Sequence, residues 1–315
     1  MDELDIRIFR ALQAEMAVAP SGTQVKSSLR SIAARIGADD MTVSYRYKKL
    51  EESGSMSGWQ LIVNPTFFGS RMMDVAVDVQ PESAKADMIR KLKLVHEVLA
   101  LFDFYGRALR MIVVYNGEDS RSRTIELISR ITNAEMMTQT RWALPQSRTE
   151  RLTETDAAII RALSHDARRS FVEVAKEQRL SPRTVSNRVG KLRAENTIFA
   201  LPIINMGGIP GLIPVYLSYT YSKDGVKGAV DRAMLSHFEA GYIFAQFSDS
   251  PGGWILLSAP ATKDVKGYLE WARAQPGVAG ARADILTETM MFPEKLIELL
   301  TPRKETAEIR RKSPS

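Results

Sequence analysis

The chain has 315 residues, 44% of them hydrophobic, with 43 Lys and Arg against 37 Asp and Glu for a net charge of +6, three histidines and no cysteine. That apolar content supports packed cores in about two to four domains and argues against bulk disorder. The absence of cysteine excludes disulfides, thiolate metal sites and cysteine nucleophiles. The acidic opening, Met-Asp-Glu-Leu-Asp, lacks the layout of a signal peptide, and no apolar run approaches the ~18 residues needed to cross a bilayer, so a cytoplasmic protein with no membrane partner is expected. The basic balance, with a pI near 9.4, favours polyanions such as nucleic acid. The excess of positive charge lies in residues 150–200 and 301–315, while residues 1–58 are neutral.

The chain repeats itself. Shifted by 151 residues, Asp5-Ile6-Arg7-Ile8-Phe9-Arg10-Ala11-Leu12 falls on Asp156-Ala157-Ala158-Ile159-Ile160-Arg161-Ala162-Leu163. Shifted by 142, Thr42-Val43-Ser44-Tyr45-Arg46 falls on Thr184-Val185-Ser186-Asn187-Arg188, and Lys49-Leu50 on Lys191-Leu192. The change of offset is a longer loop in the first copy, around Pro20-Ser21-Gly22, and such an insertion costs little. Two amphipathic helices can match by chance, but identities in one order across two offsets point to a duplication.

In each copy the first element is a helix, about 3–16 and 154–165, with acidic N-terminal signals and Thr153 as a cap. A second helix is expected at about 28–36 and 170–178. The third spans about 40–53 and 182–195, started by Ser181-Pro182 in one copy and by Asp39 in the other. On it Val43, Tyr47 and Leu50 form one stripe, as do Val185, Val189 and Leu192, and must face the other helices. Thr42, Tyr45, Arg46 and Lys49, with Thr184, Asn187, Arg188 and Lys191, then face outward. These types reach base edges and phosphates when a helix lies in the major groove. Lys48, Arg183 and Arg193 flank that face as phosphate contacts. An ordinary solvated basic face would carry similar residues; the capped short helix, turn and basic helix repeated twice favour DNA.

Each unit precedes a β-α-β-β-α-β pattern. In the first copy it comprises strands at Met72–Gln80, Val98–Tyr105, Leu109–Tyr115 and Glu135–Leu144, and helices at Glu82–Val95 and Asp119–Ile131. In the second the strands are Leu212–Tyr221, Tyr242–Ser248, Trp254–Ala259 and Ala283–Met291, and the helices Val226–His237 and Thr262–Gln275, with a hairpin turn at Pro251-Gly252-Gly253. That order belongs to ferredoxin-like sheets.

With Leu4-Asp5, Leu152-Thr153-Glu154-Thr155-Asp156 and the Ser181-Pro182, Val185, Arg188, Lys191, Leu192 pattern in view, the chain resembles the leucine-responsive regulator/AsnC family in a tandem form. The first copy departs from the pattern, with Asp39-Asp40 in place of Ser-Pro. The resemblance implies an α+β fold: two winged helix-turn-helix domains (1–58 and 150–205) alternating with two ferredoxin-like βαββαβ sensor domains (59–146 and 206–300), then a basic tail (301–315) with a phosphate-contacting arm as one reading of it. It implies a transcription regulator whose partner is double-stranded DNA, one chain mimicking the family dimer, with further pairing of chains into a dimer of pseudo-dimers. It also leaves room for a small-molecule effector such as an amino acid; no cofactor is expected and no residue is assigned to one.

His96, His165 and His237 show no metal spacing, and no nucleophile elbow, P-loop or GxGxxG is present, so no enzyme is expected. Two alternatives share this architecture. One is a sirohaem decarboxylase-like enzyme, with His96, Arg107, Arg110 and His237 as candidates. The other is a ligand-sensing assembly protein with vestigial helix-turn-helix units.

Overall fold

A computed structural model describes residues 3–13, 29–134, 137–142, 144–164, 166–205, 212–223, 225–239, 241–247 and 252–300. Three helices open the chain: α1 Glu3–Gln13, α2 Leu29–Ile36 and α3 Asp40–Glu52. Their counterparts are α6 Glu154–Leu163, α7 Phe171–Gln178 and α8 Pro182–Ala194. The expected stripes are buried: Val43, Tyr47 and Leu50 on α3, Val185, Val189 and Leu192 on α8. The starts are capped as the sequence implies. Asp39 accepts from Thr42 N at 2.8 Å, Ser181 accepts from Thr184 N at 3.0 Å ahead of Pro182, and Thr153 forms a capping box with Asp156. Such caps satisfy helix donors that have no partner within the helix.

After each three-helix unit the chain runs straight out as one strand, β1 Met56–Val63 and β6 Ile198–Ile204. Rather than forming separate hairpins, β1 and β6 pair antiparallel with each other, from Met56↔Ile204 to Val63↔Ile198. One apolar core, containing Phe9, Ile32 and Trp59 with Ile160, Val174 and Ala200, therefore runs through both units.

The two sensor modules follow. The first has β2 Arg71–Asp78, α4 Lys85–Lys93, β3 Val98–Phe104, β4 Ala108–Tyr115, α5 Gly117–Thr132 and β5 Met137–Arg141. The second has β7 Ile213–Tyr221, α9 Lys227–His237, β8 Tyr242–Phe247, β9 Gly252–Ala259, α10 Thr262–Arg273 and β10 Val278–Met291, before a short α11 Glu294–Glu298. Together the strands form one eight-stranded sheet in the order β5-β2-β4-β3-β10-β7-β9-β8, whose two four-stranded halves, the two sheets named below, meet face to face. Each half has the ferredoxin-like order, and β10 joins them: its first part pairs with β7 and its last residues with β3.

Strand alternation sorts the side chains. Met73, Val75 and Val77 with Leu109, Met111 and Val113 pack under α4 and α5, and Val215, Leu217 and Tyr219 with Ile255 and Leu257 pack under α9 and α10. The opposite faces meet each other. Arg110 of β4 lies over the Tyr216 ring of β7 at 4.3 Å, and the Tyr216 hydroxyl reaches Asp74 of β2.

Two expectations need correction. β10 starts at Val278 instead of Ala283, because the Ala-Gly-Ala stretch that reads as a loop pairs along β7. Gly252 and Gly253 belong to β9 instead of a turn, while Pro251 lies outside the described residues. A Cβ on Gly252 would sit 1.8 Å from the Tyr219 carbonyl oxygen, so a side chain there would push β7 away. The expected helix ends at 14–16, His165 and the tail 301–315 also lie outside the described residues.

Candidate nucleic-acid interface

The residues expected to face outward divide into two groups. Thr42, Tyr45, Lys48 and Lys49 on α3, and Arg183, Asn187 and Lys191 on α8, are exposed. Lys48 pairs only loosely with Glu52 at 3.5 Å, and Lys191 with Glu195 at 3.8 Å, one turn along their own helices. Exposed pairs of this kind hold a lysine weakly and leave it available to a stronger anion. Thr184 is half-buried and shares a hydrogen bond with the Ser181 hydroxyl, and Arg193 is also half-buried.

Arg46 and Arg188 form the second group. Arg46 Nη1 lies 3.4 Å from Asp5 of α1, with 29% of the arginine side chain exposed. Arg188 Nη1 donates to Asp156 at 3.1 Å and to the Thr153 hydroxyl at 3.0 Å, with 38% exposed. The same pair thus occurs in both copies and ties the third helix to the start of the first. Burial pushes the Asp156 carboxyl up, but hydrogen bonds from Thr153 and Arg188 outweigh it and hold the group below its ordinary value. A guanidinium held this way positions its helix. It can reach a base only by giving up its acid.

The two units are also clamped asymmetrically. Arg168, from the turn between α6 and α7, lies over the rings of Tyr47 (4.8 Å) and Trp59 (5.4 Å) and donates to the Tyr47 hydroxyl, which also accepts from Trp59 Nε1 at 3.1 Å. Ala167 N bonds the Trp59 carbonyl at 3.0 Å. Burial raises the Tyr47 phenol to about 12, so it stays a neutral donor and acceptor at any ordinary pH. A cavity of about 460 Å³ opens beside this cluster, lined also by Glu51, Gly58 and Asp166.

The four candidates for tetrapyrrole chemistry do not come together. His96 is exposed in the turn after α4. His237 ends α9, stacked on Trp271 of α10 at 3.6 Å, where burial lowers its affinity for a proton. Arg107 is exposed and bonds the Val79 carbonyl. Only Arg110 faces the space between the sheets. There it pairs with the fully buried Asp74 at 3.0 Å, whose carboxyl is pushed up by burial against the pull of the guanidinium. A second cavity, of about 420 Å³, lies between the sheets beside Asp78, Thr138, Thr140, Thr220 and Arg282. Arg282 forks onto Asp78 with two 2.7 Å bonds and also reaches Asp284. No cluster of His, Asp and Glu suited to a metal occurs among the described residues.

The fold and these faces define a class: paired helix-turn-helix units mounted on a ferredoxin-like double sheet. Within it, residues 152–193 match the family model of the AsnC-type helix-turn-helix domain, and the chain is similar to leucine-responsive regulator/AsnC proteins. It is 25% identical over 107 residues to the HTH-type transcriptional regulator Ptr1 of Methanocaldococcus jannaschii; the match takes in 34% of this chain and 66% of that protein, just under two thirds. Among solved structures, the siroheme decarboxylase NirDL superposes with a TM-score of 0.58 at 14% identity, over 97% of this chain and 99% of that one. The leucine response regulatory protein LrpA of Mycobacterium tuberculosis covers 45% of this chain and 97% of its own, at 20% identity and a TM-score of 0.35. The NirDL match corrects one expectation. The absence of catalytic motifs suggested that the chain is not an enzyme, but an enzyme shares the fold from end to end, so motif absence on this scaffold does not exclude catalysis. No helix among the described residues is long and apolar enough to cross a membrane.

Proposed function

We propose that the chain is a sequence-specific DNA-binding transcription regulator in which one chain stands in for a dimer. The observation that carries this is the repeated outward face of α3 and α8: exposed hydrogen-bonding and cationic side chains on two capped helices, each braced from behind by an Arg–Asp pair. The AsnC-type match in the second unit and the regulator relative support the same reading. The antiparallel β1–β6 pairing gives the two helices a fixed relation, as recognition of two half-sites requires. Association into a homo-oligomer and modulation by a small molecule belong to the proposal as further properties.

The test is binding to duplex DNA from the protein's own promoter at rising salt. Affinity should fall steeply, because each neutralised phosphate releases counterions. Binding that ignores salt and sequence would overturn the reading.

The NirDL likeness and the inter-sheet cavity favour a second reading, an enzyme acting on an anionic tetrapyrrole. For that, Arg110 and Arg282 would have to release Asp74, Asp78 and Asp284. Titration with sirohaem, followed by absorbance, separates the two: a saturable spectral shift supports the enzyme, and an unchanged spectrum removes it.

A further inference from the structure

The two outward faces share a framework but differ at the positions that would meet bases. Under the 142-residue shift Thr42 matches Thr184, Arg46 matches Arg188 and Lys49 matches Lys191. The caps Asp39 and Ser181 and the pairs Arg46–Asp5 and Arg188–Asp156 are also equivalent. Between these fixed points Met41 falls on Arg183, and Tyr45 on Asn187. All four are exposed, and Met41 and Tyr45 strongly so, at 81% and 66%. Each pair is one helical turn apart and so lies on a single face.

The chemistry of the two faces is therefore opposite. Arg183, expected from the sequence as a flanking phosphate contact, stands exposed one turn from Asn187 and so shares its face; an arginine fork there suits guanine O6 and N7, and an asparagine amide suits adenine N6 and N7. A methionine side chain and a phenol ring offer apolar contact, which the major groove answers with the thymine methyl group. Large apolar side chains held in water at two neighbouring positions gain most where such a surface covers them.

Resting on the DNA-binding reading, we infer that the chain reads a non-palindromic operator: a thymine-rich half-site under α3 and a half-site carrying guanine and adenine under α8. The shared framework docks both helices in the same way, and the side chains at 41 and 45 against 183 and 187 set the difference. The β1–β6 pairing and the Arg168 clamp hold the two readers in one register.

The experiment is selection of bound duplexes from a randomised library, using the full chain and two double variants at exposed positions. The native chain should enrich two unlike half-sites. Met41→Arg with Tyr45→Asn should turn the thymine-rich half into a copy of the other, giving a near-palindrome. Arg183→Met with Asn187→Tyr should erase the guanine and adenine preference and weaken binding to the native operator by about 10-fold or more. A palindrome selected by the native chain would overturn the inference. So would an unchanged half-site in a Met41→Arg, Tyr45→Asn variant that still binds. If the native chain enriches no sequence at all, the regulator reading itself fails, an outcome separate from the other two.

Discussion

The first helix-turn-helix unit and the second have the same skeleton and different surfaces. The second is basic, begins α8 with Ser181-Pro182, and sets a full capping box behind Arg188. The first is neutral, begins α3 with Asp39-Asp40, and presents Met41 and Tyr45. What stayed constant is what a helix needs to be held at a fixed angle: the buried stripe, the cap and the Arg–Asp tie. What diverged is the exposed face at 41 and 45 against 183 and 187, together with the buried Tyr47 and Trp59 that Arg168 covers. On the proposed function, positioning and recognition are thus separable, and each prediction below presses on one or the other.

The largest effect is expected from Asp156→Asn, which removes a capping-box member and the partner of Arg188 together. A loss of about 2–4 kcal/mol in denaturant unfolding is expected from the cap and the charged hydrogen bonds. The matching change Asp5→Asn, whose pair is longer at 3.4 Å, should cost less, about 1 kcal/mol. Equal losses in the two copies would break the comparison of positioning.

Next comes Arg183→Ala, expected to lower specific DNA affinity by about 1–3 kcal/mol and to relax preference at one base position. Lys49→Ala and Lys191→Ala should each weaken binding evenly across sequences and reduce the salt slope by about 1. A competition binding assay at two salt concentrations reads both.

Arg168→Ala should cost about 0.5–2 kcal/mol, the range for a cation over aromatic rings. Its effect should fall on the first unit, visible as a change in Trp59 fluorescence. The second unit has Val189 and Leu201 at the positions of Tyr47 and Trp59 and has no such clamp to lose.

The smallest effect is a pH dependence. Asp156 has its pKa lowered in the folded chain from 3.8, so the folded state binds the proton less well than the unfolded state does. Its contribution is complete above that value and is lost as pH falls through the folded value. The stability difference between the native chain and Asp156→Asn should therefore be flat near neutrality and narrow below pH 3.8. A gap that widened on acidification would contradict the lowered value.

Much of this was legible in the sequence. The duplication, the buried stripes of α3 and α8, their caps and the strand-helix order all come from local pattern, and local pattern survives folding. Arg46 and Arg188 were not legible as braces, because the acids that hold them lie 41 and 32 residues away. The same distance problem hid Asp74 and Tyr216, the partners of Arg110, which the sequence offered only as a tetrapyrrole candidate. Polar residues alternating along a strand read as a wet face, and only the second sheet, arriving through Tyr216, makes that face an interior. Strand β10 was read short because its glycine and alanine carry no strand signal of their own, yet β7 supplies their pairing.

The ladder between β1 and β6 forms within one polypeptide. In a two-subunit protein such a ladder comes apart on dilution. Here its partner strand is tethered, at an effective concentration on the order of millimolar. The paired helix units therefore persist at any expression level, down to a few molecules per cell, and a change in either half appears once instead of twice.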